Sequence, residues 1–271
     1  MLPWRDNVFE APVETLNLAR FDCVLYQSRR AYENDRLDLL TPELRALPKV
    51  YLEHDPPQAS PTDTLHVMQD PNALLVHVTP FNALMWDSGI TPTRVIEHGV
   101  ALLSPTTYRG TLERGVVVVN HIVERGRRLG ADLYLQLRQN IPLDLVGMGA
   151  ERAGGLGEID NTGLPDFMAS YRFFFNPIRY TSLGLSVIEA MMVGLPVIGL
   201  ATTEMSTVIE NGVAGCVDTR PERLIEAGRE LLADRNLAHA LGEGARRIAH
   251  ERFNIDRFAA DWDRVLRTVA G

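Results

Sequence analysis

A single carboxylate, Glu189, lies within an otherwise apolar stretch of the sequence. The stretch is RYTSLGLSVIEAMMVGLPVIGL, residues 179–200, and its pattern predicts an apolar helix followed by glycine, proline and an apolar strand. Charged side chains are seldom buried unless a partner stabilises the charge. We therefore expect Glu189 to be held by a partner within the protein or to be ready for a ligand.

A group of arginines forms the second candidate. Arg125, Arg127 and Arg128 lie in the segment ERGRRLGAD, just past a predicted strand and at the start of a predicted helix. A phosphate at that place would meet free backbone N–H groups, the positive end of the helix and guanidinium donors together. The alternative is that these arginines are solvated charges on the surface of a helix, and both interpretations stay open.

His54 and Asp55 end another predicted strand, in the segment YLEHDPP, before a turn at two prolines. A histidine at a strand end that faces a cleft is suited to polar contact with a substrate. Local hydrogen bonds within the protein are the alternative role for His54. His98, in the segment VIEHGV, repeats the pattern, and we expect it to support a hinge rather than to touch a substrate.

Other patterns carry less chemical information. The glycine-rich segment 146–158 begins G-x-G at Gly147, but Arg152 stands where a dinucleotide-binding fingerprint needs its third glycine, so we predict a loop at the mouth of a cleft. Asp261 and Asp263 form a D-x-D pattern inside an amphipathic helix, where we expect solvated charges. The histidines have no metal-ligand spacing, and the sequence has no nucleophile elbow. We therefore expect neither a metal nor a cofactor.

Composition narrows the class of protein. The 271 residues are 45% hydrophobic and 23% charged, which is typical of a soluble globular protein with one large domain or two of ordinary size. The net charge of −8 disfavours a general nucleic-acid-binding protein. Two distant cysteines, Cys23 and Cys216, suit a reducing cytosol. The sequence lacks a signal-peptide pattern and a transmembrane segment, which leaves attachment to a membrane surface open.

The elements that must position these residues alternate between β-rich apolar runs and amphipathic stretches, which predicts an α/β fold with mainly parallel sheets. We expect two Rossmann-like lobes with a cleft between them, and ligands beyond the carboxyl ends of the strands. The expected domains are a shortened first lobe at residues 1–108, a second lobe at 109–254, and a C-terminal helix at 255–271 that packs back toward the first lobe. Turn-forming residues cluster at 104–115, near the first boundary.

Individual elements follow from the same patterns. The predicted strands are FDCVLYQS, KVYLEHD, ALLVHVT and TRVIEHGV in the first lobe, and GVVVVN, LDLVGM, RFFFNPI, PVIGL and AGCVDT in the second. Helices are predicted over residues 125–140 and 164–171, within the apolar stretch around Glu189, and near 204–212. The tail is predicted to be helical, with Pro221 in the first turn of one helix and an amphipathic last helix from Ile255 to Val269.

The densest pattern, LGLSVIEAMMVGLPVIG followed by VIENGVAGCVD, resembles the retaining, nucleotide-sugar-dependent glycosyltransferases of the GT-B fold, known as glycosyl transferases group 1. The family pattern has a glutamate, a small Gly-aromatic-Gly step, a second glutamate, and then Ala-Met, Gly and Pro-Val. The resemblance extends from GVVVVN to the C-terminus. In the first lobe it depends on EHD and on VIEHGV alone.

The resemblance implies a role for particular residues. Two are candidates for catalytic contact with the transferred sugar, His54 and Thr181. The implied donor-binding residues are Asn120, Arg125, Gly147, Ser182, Leu183, Gly184, Leu185 and Glu189. Glu189 would hydrogen-bond the ribose hydroxyls of the donor. Arg125 would take the place of a family lysine that neutralises the diphosphate, and the backbone N–H groups of residues 182–185 would meet that diphosphate.

The sequence departs from the family pattern at several positions. Thr181 stands where the family has its first glutamate, and Asn120 or His121 replaces the companion arginine. The family's Gly-Gly step falls at Thr203 and Glu204. The first lobe lacks the opening βαβ unit with its glycine-rich loop.

The function implied by the resemblance is a metal-independent transfer of a hexose from a nucleoside diphosphate sugar to a hydroxyl acceptor, with retention of configuration. The acceptor would be a saccharide or a lipid-linked molecule, in surface polysaccharide or glycolipid assembly. The expected location is the cytoplasm, including the inner face of the membrane. The alternatives are a non-catalytic nucleotide-sugar-binding protein or partner subunit, and a sugar-nucleotide epimerase or phosphorylase on the same fold.

Overall fold

The computed structural model describes residues 10–18, 20–103 and 105–271, so the first nine residues and Ser104 of the predicted boundary segment lie outside it. The chain divides into two compact units. The first unit contains the described residues up to Val78, together with Asn82–Ile96 and Asp261–Gly271, and the second contains the described residues of Thr79–Phe81 and Glu97–Ala260. The chain therefore passes between the units more than once, and the domain limits given above stay predictions.

The first unit contains a four-stranded parallel sheet with its strands in chain order. The strands are β1 (Val24–Tyr26), β2 (Lys49–Glu53), β3 (Ala73–His77) and β4 (Thr93–Val95). The short helices are α1 (Arg36–Leu39) and α2 (Pro42–Ala46), before β2, and α3 (Pro80–Met85), after β3. Each strand lies within a run in which the sequence predicted one, so these four predictions are confirmed.

Aromatic rings fill the core of the first unit. The rings of Tyr26 and Tyr32 meet edge to face at 5.3 Å between centroids, and those of Tyr32 and Tyr51 at 5.9 Å. His66 continues the stack at 4.7 Å from Tyr51. Its Nδ1 accepts a hydrogen bond from a backbone amide, so its Nε2 carries the proton and donates to Glu53 Oε2 at 3.2 Å. Aromatic rings thus pack in this core, and one of them, His66, also holds the Glu53 carboxylate.

A second histidine, His77, ends β3 and is fully buried. Neither of its ring nitrogens makes a hydrogen bond to a described residue. Burial is the main cause that lowers the pKa of His77 to about 4; the nearby His66 contributes to the shift, and Glu53 opposes it. His77 is therefore a neutral imidazole in the folded protein at every pH near neutrality.

The second unit contains a five-stranded parallel sheet in the order β6-β5-β7-β8-β9. The strands are β5 (Leu112–Val118), β6 (Leu143–Val146), β7 (Tyr171–Asn176), β8 (Val197–Leu200) and β9 (Gly215–Asp218). All five fall where the sequence predicted strands. The fold is therefore α/β with two Rossmann-like parallel sheets, as predicted.

The central strand β7 explains why this sheet is stable. All six of its residues are buried, because helices cover both faces of a parallel sheet. Successive side chains alternate between the faces, so Phe174 packs in one hydrophobic cluster while Phe173 and Phe175 pack in the other. The buried Arg172 donates hydrogen bonds to the carbonyls of Gly110, Leu231 and Leu232, so its Nε and Nη1 groups have acceptors at the edge of the core.

The helices of the second unit follow the predicted pattern with one exception. They are α4 (Ile122–Arg125), α5 (Ala131–Leu137), α6 (Leu164–Ala169), α7 (Leu185–Val193), α8 (Met205–Val208), α9 (Pro221–Ala233), α10 (Arg235–Arg252) and α11 (Ile255–Ala270), which continues into the first unit. Among the described helices, none is both long enough and apolar enough to cross a membrane.

The exception is the helix predicted over residues 125–140, and this prediction is wrong. The chain forms the short α4, then a 3-10 turn over Gly126–Leu129, and only then α5. Gly126 and Gly130 take positive φ angles of 56° and 80°, which interrupt a right-handed helix. Arg125 therefore ends a short helix and does not begin a long one.

The outer edge of β9 is covered by a side chain from the preceding loop. The Asn211 amide group donates to the Val217 carbonyl at 3.0 Å, and its oxygen accepts from the Val217 amide at 2.6 Å. A carboxamide thus makes the two hydrogen bonds that a neighbouring strand would make at this residue.

We predict that His77 makes the first unit sensitive to acid. Its pKa in the folded protein lies below the unfolded value of about 6.5, so the unfolded chain binds more protons between pH 6.5 and 4, and the free energy of unfolding falls as pH decreases through that range. The loss is on the order of 3 kcal/mol. Urea denaturation of the wild type and of His77→Leu across this range should give a smaller pH dependence in the variant, and parallel curves would contradict the prediction.

Candidate functional site

The order of strands in the second unit marks one place where a ligand can bind. The chain goes from β5 to β6 on one side of β5 and then crosses to β7 on its other side. The order in which strands are added to the sheet therefore reverses between β5 and β7. The loops that leave the carboxyl ends of two such strands diverge and leave a crevice between them. The segments beyond β5 and β7, residues 119–130 and 177–184, therefore border the candidate site.

Two predicted donor-binding residues meet beyond β5 and β6. Asn120 follows β5, and its side-chain oxygen accepts a hydrogen bond from the Met148 amide at 2.9 Å. Gly147 has a φ of 131°, and a Cβ atom there would lie 2.6 Å from the Val119 carbonyl oxygen and 2.8 Å from the Asn120 side-chain oxygen. Only glycine permits this approach. The structure therefore brings Asn120 and Gly147 together, with the Asn120 oxygen engaged in joining the two loops.

The start of α7 lies beyond β7 and contains four of the predicted residues. Ser182 and Leu183 are buried, and Gly184 precedes the helix in an extended conformation. The first amides of a helix have no partner within it, and the helix dipole places positive charge there. Ser186 Oγ lies 3.5 Å from the Val118 carbonyl oxygen at the end of β5, so the start of α7 adjoins the point of strand reversal.

Glu189 lies one turn further along α7 and is only partly exposed. Leu185, four residues earlier on the same side of the helix, is 49% exposed, whereas Val187, Ile188 and Ala190 are buried. The Glu189 carboxylate makes no hydrogen bond or ion pair to any residue that the structure describes, and burial raises its pKa. The carboxylate that the sequence singled out thus lies at the border of the core without a partner from the described chain.

The three arginines differ from what the sequence predicted. Arg125 is exposed, ends α4 and forms no ion pair with a described residue, so it does not combine with the positive end of a long helix. Arg127 pairs with Asp132. The Arg128 carbonyl accepts a hydrogen bond from the Arg179 amide at 2.9 Å, which places Arg128 against the segment beyond β7. The Arg127 carbonyl also accepts a hydrogen bond, from Arg179 Nη1 at 2.8 Å, so the backbones of both Arg127 and Arg128 are bonded to the segment beyond β7.

The positions at which the sequence departs from the family pattern have defined surroundings. Thr181 is partly buried and supplies no carboxylate. Thr203 has a φ of 51°, a left-handed conformation that glycine adopts readily and a β-branched residue rarely does. Glu204 is 2% exposed, and its carboxylate accepts hydrogen bonds from the Phe81 amide at 3.0 Å and the Thr207 hydroxyl at 2.7 Å. The Glu204 carboxylate is thus engaged within the protein.

His54 belongs to the first unit, at the end of β2. Its carbonyl accepts a hydrogen bond from the Asn82 side chain at 3.2 Å, and the next carbonyl, of Asp55, accepts from the Trp86 indole at 2.8 Å. Helix α3 and the residue after it therefore hold the backbone at this strand end. The roles of His54 and of the other proposed site residues stay predictions.

Two residues that border the crevice were missed by the sequence analysis. Arg179 and Asp132 form an ion pair with two hydrogen bonds, of 2.6 and 3.0 Å, between the segments beyond β7 and β5. Arg179 stands in the stretch that contains Glu189, but the pattern of one segment holds no information about a partner 47 residues away.

Among the described residues, no group of three or more histidine, cysteine or acidic side chains could hold a metal ion. The two aspartates of the D-x-D pattern form ion pairs on their own helix, Asp261 with Arg264 at 3.2 Å and Asp263 with Arg267 at 2.8 Å.

A family model matches part of this chain. Residues 135–234 match the family model described as Glycosyl transferases group 1. The matched segment runs from α5 into α9 and contains Gly147, the loop beyond β7 and Glu189, whereas Asn120 and Arg125 precede it. A search of the curated proteins finds no match.

Solved structures share the fold across almost the whole chain. Sucrose-phosphate synthase from Thermosynechococcus elongatus superposes with a TM-score of 0.72 at 20% identity, over 92% of this chain and 73% of that chain. A mutant of TarM from S. aureus, in complex with Fondaparinux, alpha-GlcNAc-glycerol and UDP, gives 0.73 at 13% identity, over 93% of this chain and 57% of TarM. HepE from Anabaena, with UDP and glucose, gives 0.69 at 17% identity, over 94% and 79%. The chain has the GT-B fold, and its residues 135–234 match the group 1 family model.

We predict that Glu189 lowers the stability of the fold. Because its pKa is raised, the charged form of Glu189 is disfavoured in the folded protein. The free energy of unfolding therefore falls as pH rises above the pKa that Glu189 has in the unfolded chain. Glu189→Gln should therefore raise the free energy of unfolding at pH 7 by about 0.5–1 kcal/mol. The measurement is urea denaturation, with the exposed Glu251→Gln as control. A clear loss of stability in Glu189→Gln would contradict the prediction.

Proposed function

We propose that this protein is a glycosyltransferase that moves a hexose from a nucleoside diphosphate sugar to a hydroxyl acceptor, with retention of configuration. The observation that carries this proposal is the unpartnered carboxylate of Glu189 on α7, beside the strand reversal and within the segment that matches the glycosyltransferase family. A carboxylate in a partly apolar setting binds vicinal hydroxyl groups such as those of a ribose, since each hydroxyl can donate a charge-assisted hydrogen bond.

The groups around the crevice suit the diphosphate of such a donor. The first amides of α7 and the helix dipole would stabilise the negative charge that develops as the glycosidic bond breaks. Arg125 would contribute a mobile guanidinium, since it is exposed and has no ion-pair partner in the described part of the chain. Arg128 would contribute a second. These charges belong to the protein itself, so the proposed reaction needs no metal ion.

The related structures support the choice of donor class. HepE and TarM are both described in complex with UDP, HepE together with glucose and TarM with a GlcNAc-bearing glycerol. By analogy, a saccharide or a lipid-linked molecule would be the acceptor. We propose a cytoplasmic protein that works in surface polysaccharide or glycolipid assembly, including at the inner face of the membrane.

The function is tested by measuring nucleoside diphosphate release from UDP-, GDP- and ADP-hexoses, with and without saccharide acceptors. We expect one donor to be consumed faster when an acceptor is present, and NMR of the product to show the anomeric configuration of the donor. If the protein neither binds nor turns over any of these donors, the proposal is refuted.

Thr181 favours a second candidate, a non-catalytic nucleotide-sugar-binding protein, because the family glutamate at this position is missing. Binding of a nucleoside diphosphate sugar in calorimetry with no product under any condition would support it. The variant Thr181→Glu separates the two, since a gain in turnover would identify an impaired version of the family's site. An epimerase would convert the donor without an acceptor, and a phosphorylase would require inorganic phosphate.

We predict that Glu189→Gln weakens donor binding although it stabilises the fold. Replacing the carboxylate by an amide removes the charge from the hydrogen bonds to the ribose, at a cost of about 1.5–3 kcal/mol, or roughly 10–100-fold in affinity. Calorimetry with the donor nucleotide measures the effect, and Glu251→Gln, on an exposed face of α10, is the matched control. Equal affinities of Glu189→Gln and wild type would remove Glu189 from the site.

A further inference from the structure

The segment between β7 and α7, residues 177–184, is joined to the first turn of α5 by the ion pair of Arg179 with Asp132. Arg179 Nη1 donates to Asp132 Oδ1 at 2.6 Å, and Arg179 Nη2 donates to Asp132 Oδ2 at 3.0 Å. The planar guanidinium meets the planar carboxylate along two parallel hydrogen bonds, an arrangement that sets orientation as well as distance.

Backbone contacts support the same junction. Arg179 Nη1 also donates to the Arg127 carbonyl at 2.8 Å, and the Arg179 amide donates to the Arg128 carbonyl at 2.9 Å. A Cβ atom at Gly130 would lie 2.0 Å from the Pro177 carbonyl oxygen, so the two segments touch backbone to backbone. The ion pair thus closes a junction in which the main chains are already in contact.

The pair stays charged at neutral pH. Partial burial by itself would raise the pKa of Asp132, but the hydrogen bond and charge of Arg179, with Arg127 adding to them, lower it overall. Side-chain exposures of 30% for Arg179 and 38% for Asp132 leave the pair at the surface of the second unit, near the crevice and outside the core. A surface pair seldom adds much stability, so its value must lie in what it orients.

What the pair orients is the start of α7. Eight residues separate β7 from α7, which is a long connection for an α/β unit. On its other side this connection is held by the Thr202 hydroxyl, which donates to the Ile178 carbonyl at 3.2 Å. Arg179 supplies the anchor on the β5 side, and the first amides of α7 and Glu189 follow within ten residues.

We propose that Asp132 and Arg179 are a positioning pair that sets where the amides of α7 and the Glu189 carboxylate meet the donor. The inference rests on the proposed function and extends it to two residues that touch no substrate. Because both terminal nitrogens of Arg179 donate to Asp132, and Nη1 also donates to the Arg127 carbonyl, we assign this arginine to orienting the loop and not to binding the diphosphate.

The two roles for Arg179 predict opposite effects of Asp132→Asn. If Arg179 bound phosphate, removal of the competing carboxylate would free its charge and tighten nucleotide binding. If the pair positions the loop, Asp132→Asn weakens binding, by about ten-fold. Arg179→Lys keeps the charge but loses the paired hydrogen bonds, so it should weaken binding to a similar extent.

The experiment is calorimetry of UDP, GDP and ADP with the full chain, for the wild type and both variants. Asp144→Asn is the matched control, because Asp144 makes an equivalent two-bond pair with Arg114, at 2.7 and 2.8 Å, near the amino ends of β5 and β6. Urea denaturation checks that each variant is folded. If Asp132→Asn does not fold, Arg179→Lys still tests the pair, because unchanged nucleotide binding in that variant would overturn the positioning role.

Combining Asp132→Asn with Glu189→Gln separates a positioning role of the pair from a general effect on the structure. In a Glu189→Gln background, the loss caused by Asp132→Asn should be smaller than in wild type, because one of the groups that the pair positions has been removed. Unchanged or tighter binding in Asp132→Asn, or full additivity with Glu189→Gln, would overturn the positioning role while the donor class stands. A wild-type protein that binds none of the three nucleotides would overturn the proposed function and this inference with it.

Discussion

The parallel pairing of β5 with β7 is the constraint on which the candidate site depends. In a parallel sheet every strand ends at the same edge, so the residues beyond β5 and those beyond β7 become neighbours although more than 50 residues separate them in sequence. The reversal of strand order then leaves space between them. Gly130 and Gly147 keep that edge compact where main chains cross, and α7 begins where the space opens.

In the proposed site, the burial of Glu189 disfavours its charge, whereas the proposed contact with a donor needs that charge. A neutral residue would suit its partly buried surroundings better, since nothing in the described part of the chain compensates its charge. Such a group persists in a fold where a ligand supplies the missing partner. His77 in the first unit is a buried group of a different kind, because it avoids the cost of burial by staying neutral. The two residues show that a partnerless titratable side chain is not by itself a site: His77 is fully buried and neutral, whereas Glu189 is partly exposed, on the helix beside the strand reversal.

Much of the fold could be predicted from the sequence, whereas the detail of the site could not. Runs such as RFFFNPI and PVIGL are apolar over the length of a strand, which is why every predicted strand is present. Glu189 was apparent because one charge interrupts an apolar run. The break at Gly126 and Gly130 was missed because the residues around them favour a helix, and only the approach of Pro177 shows why glycine is needed at 130. Arg179 and Asp132 were missed because their pairing is tertiary.

The side chain of Asn211 has a consequence for association between molecules. An edge strand normally offers unpaired amide and carbonyl groups to any other strand that approaches, which is how sheets of separate chains merge. On β9 the groups of Val217 that face outward are already bonded to the Asn211 carboxamide, and the Gly215 carbonyl is bonded to the Gly212 amide. A foreign strand would have to displace this loop before it could add to the sheet. The outer edge of β9 is thus protected against the addition of another strand by the Asn211 side chain and the Gly212 amide.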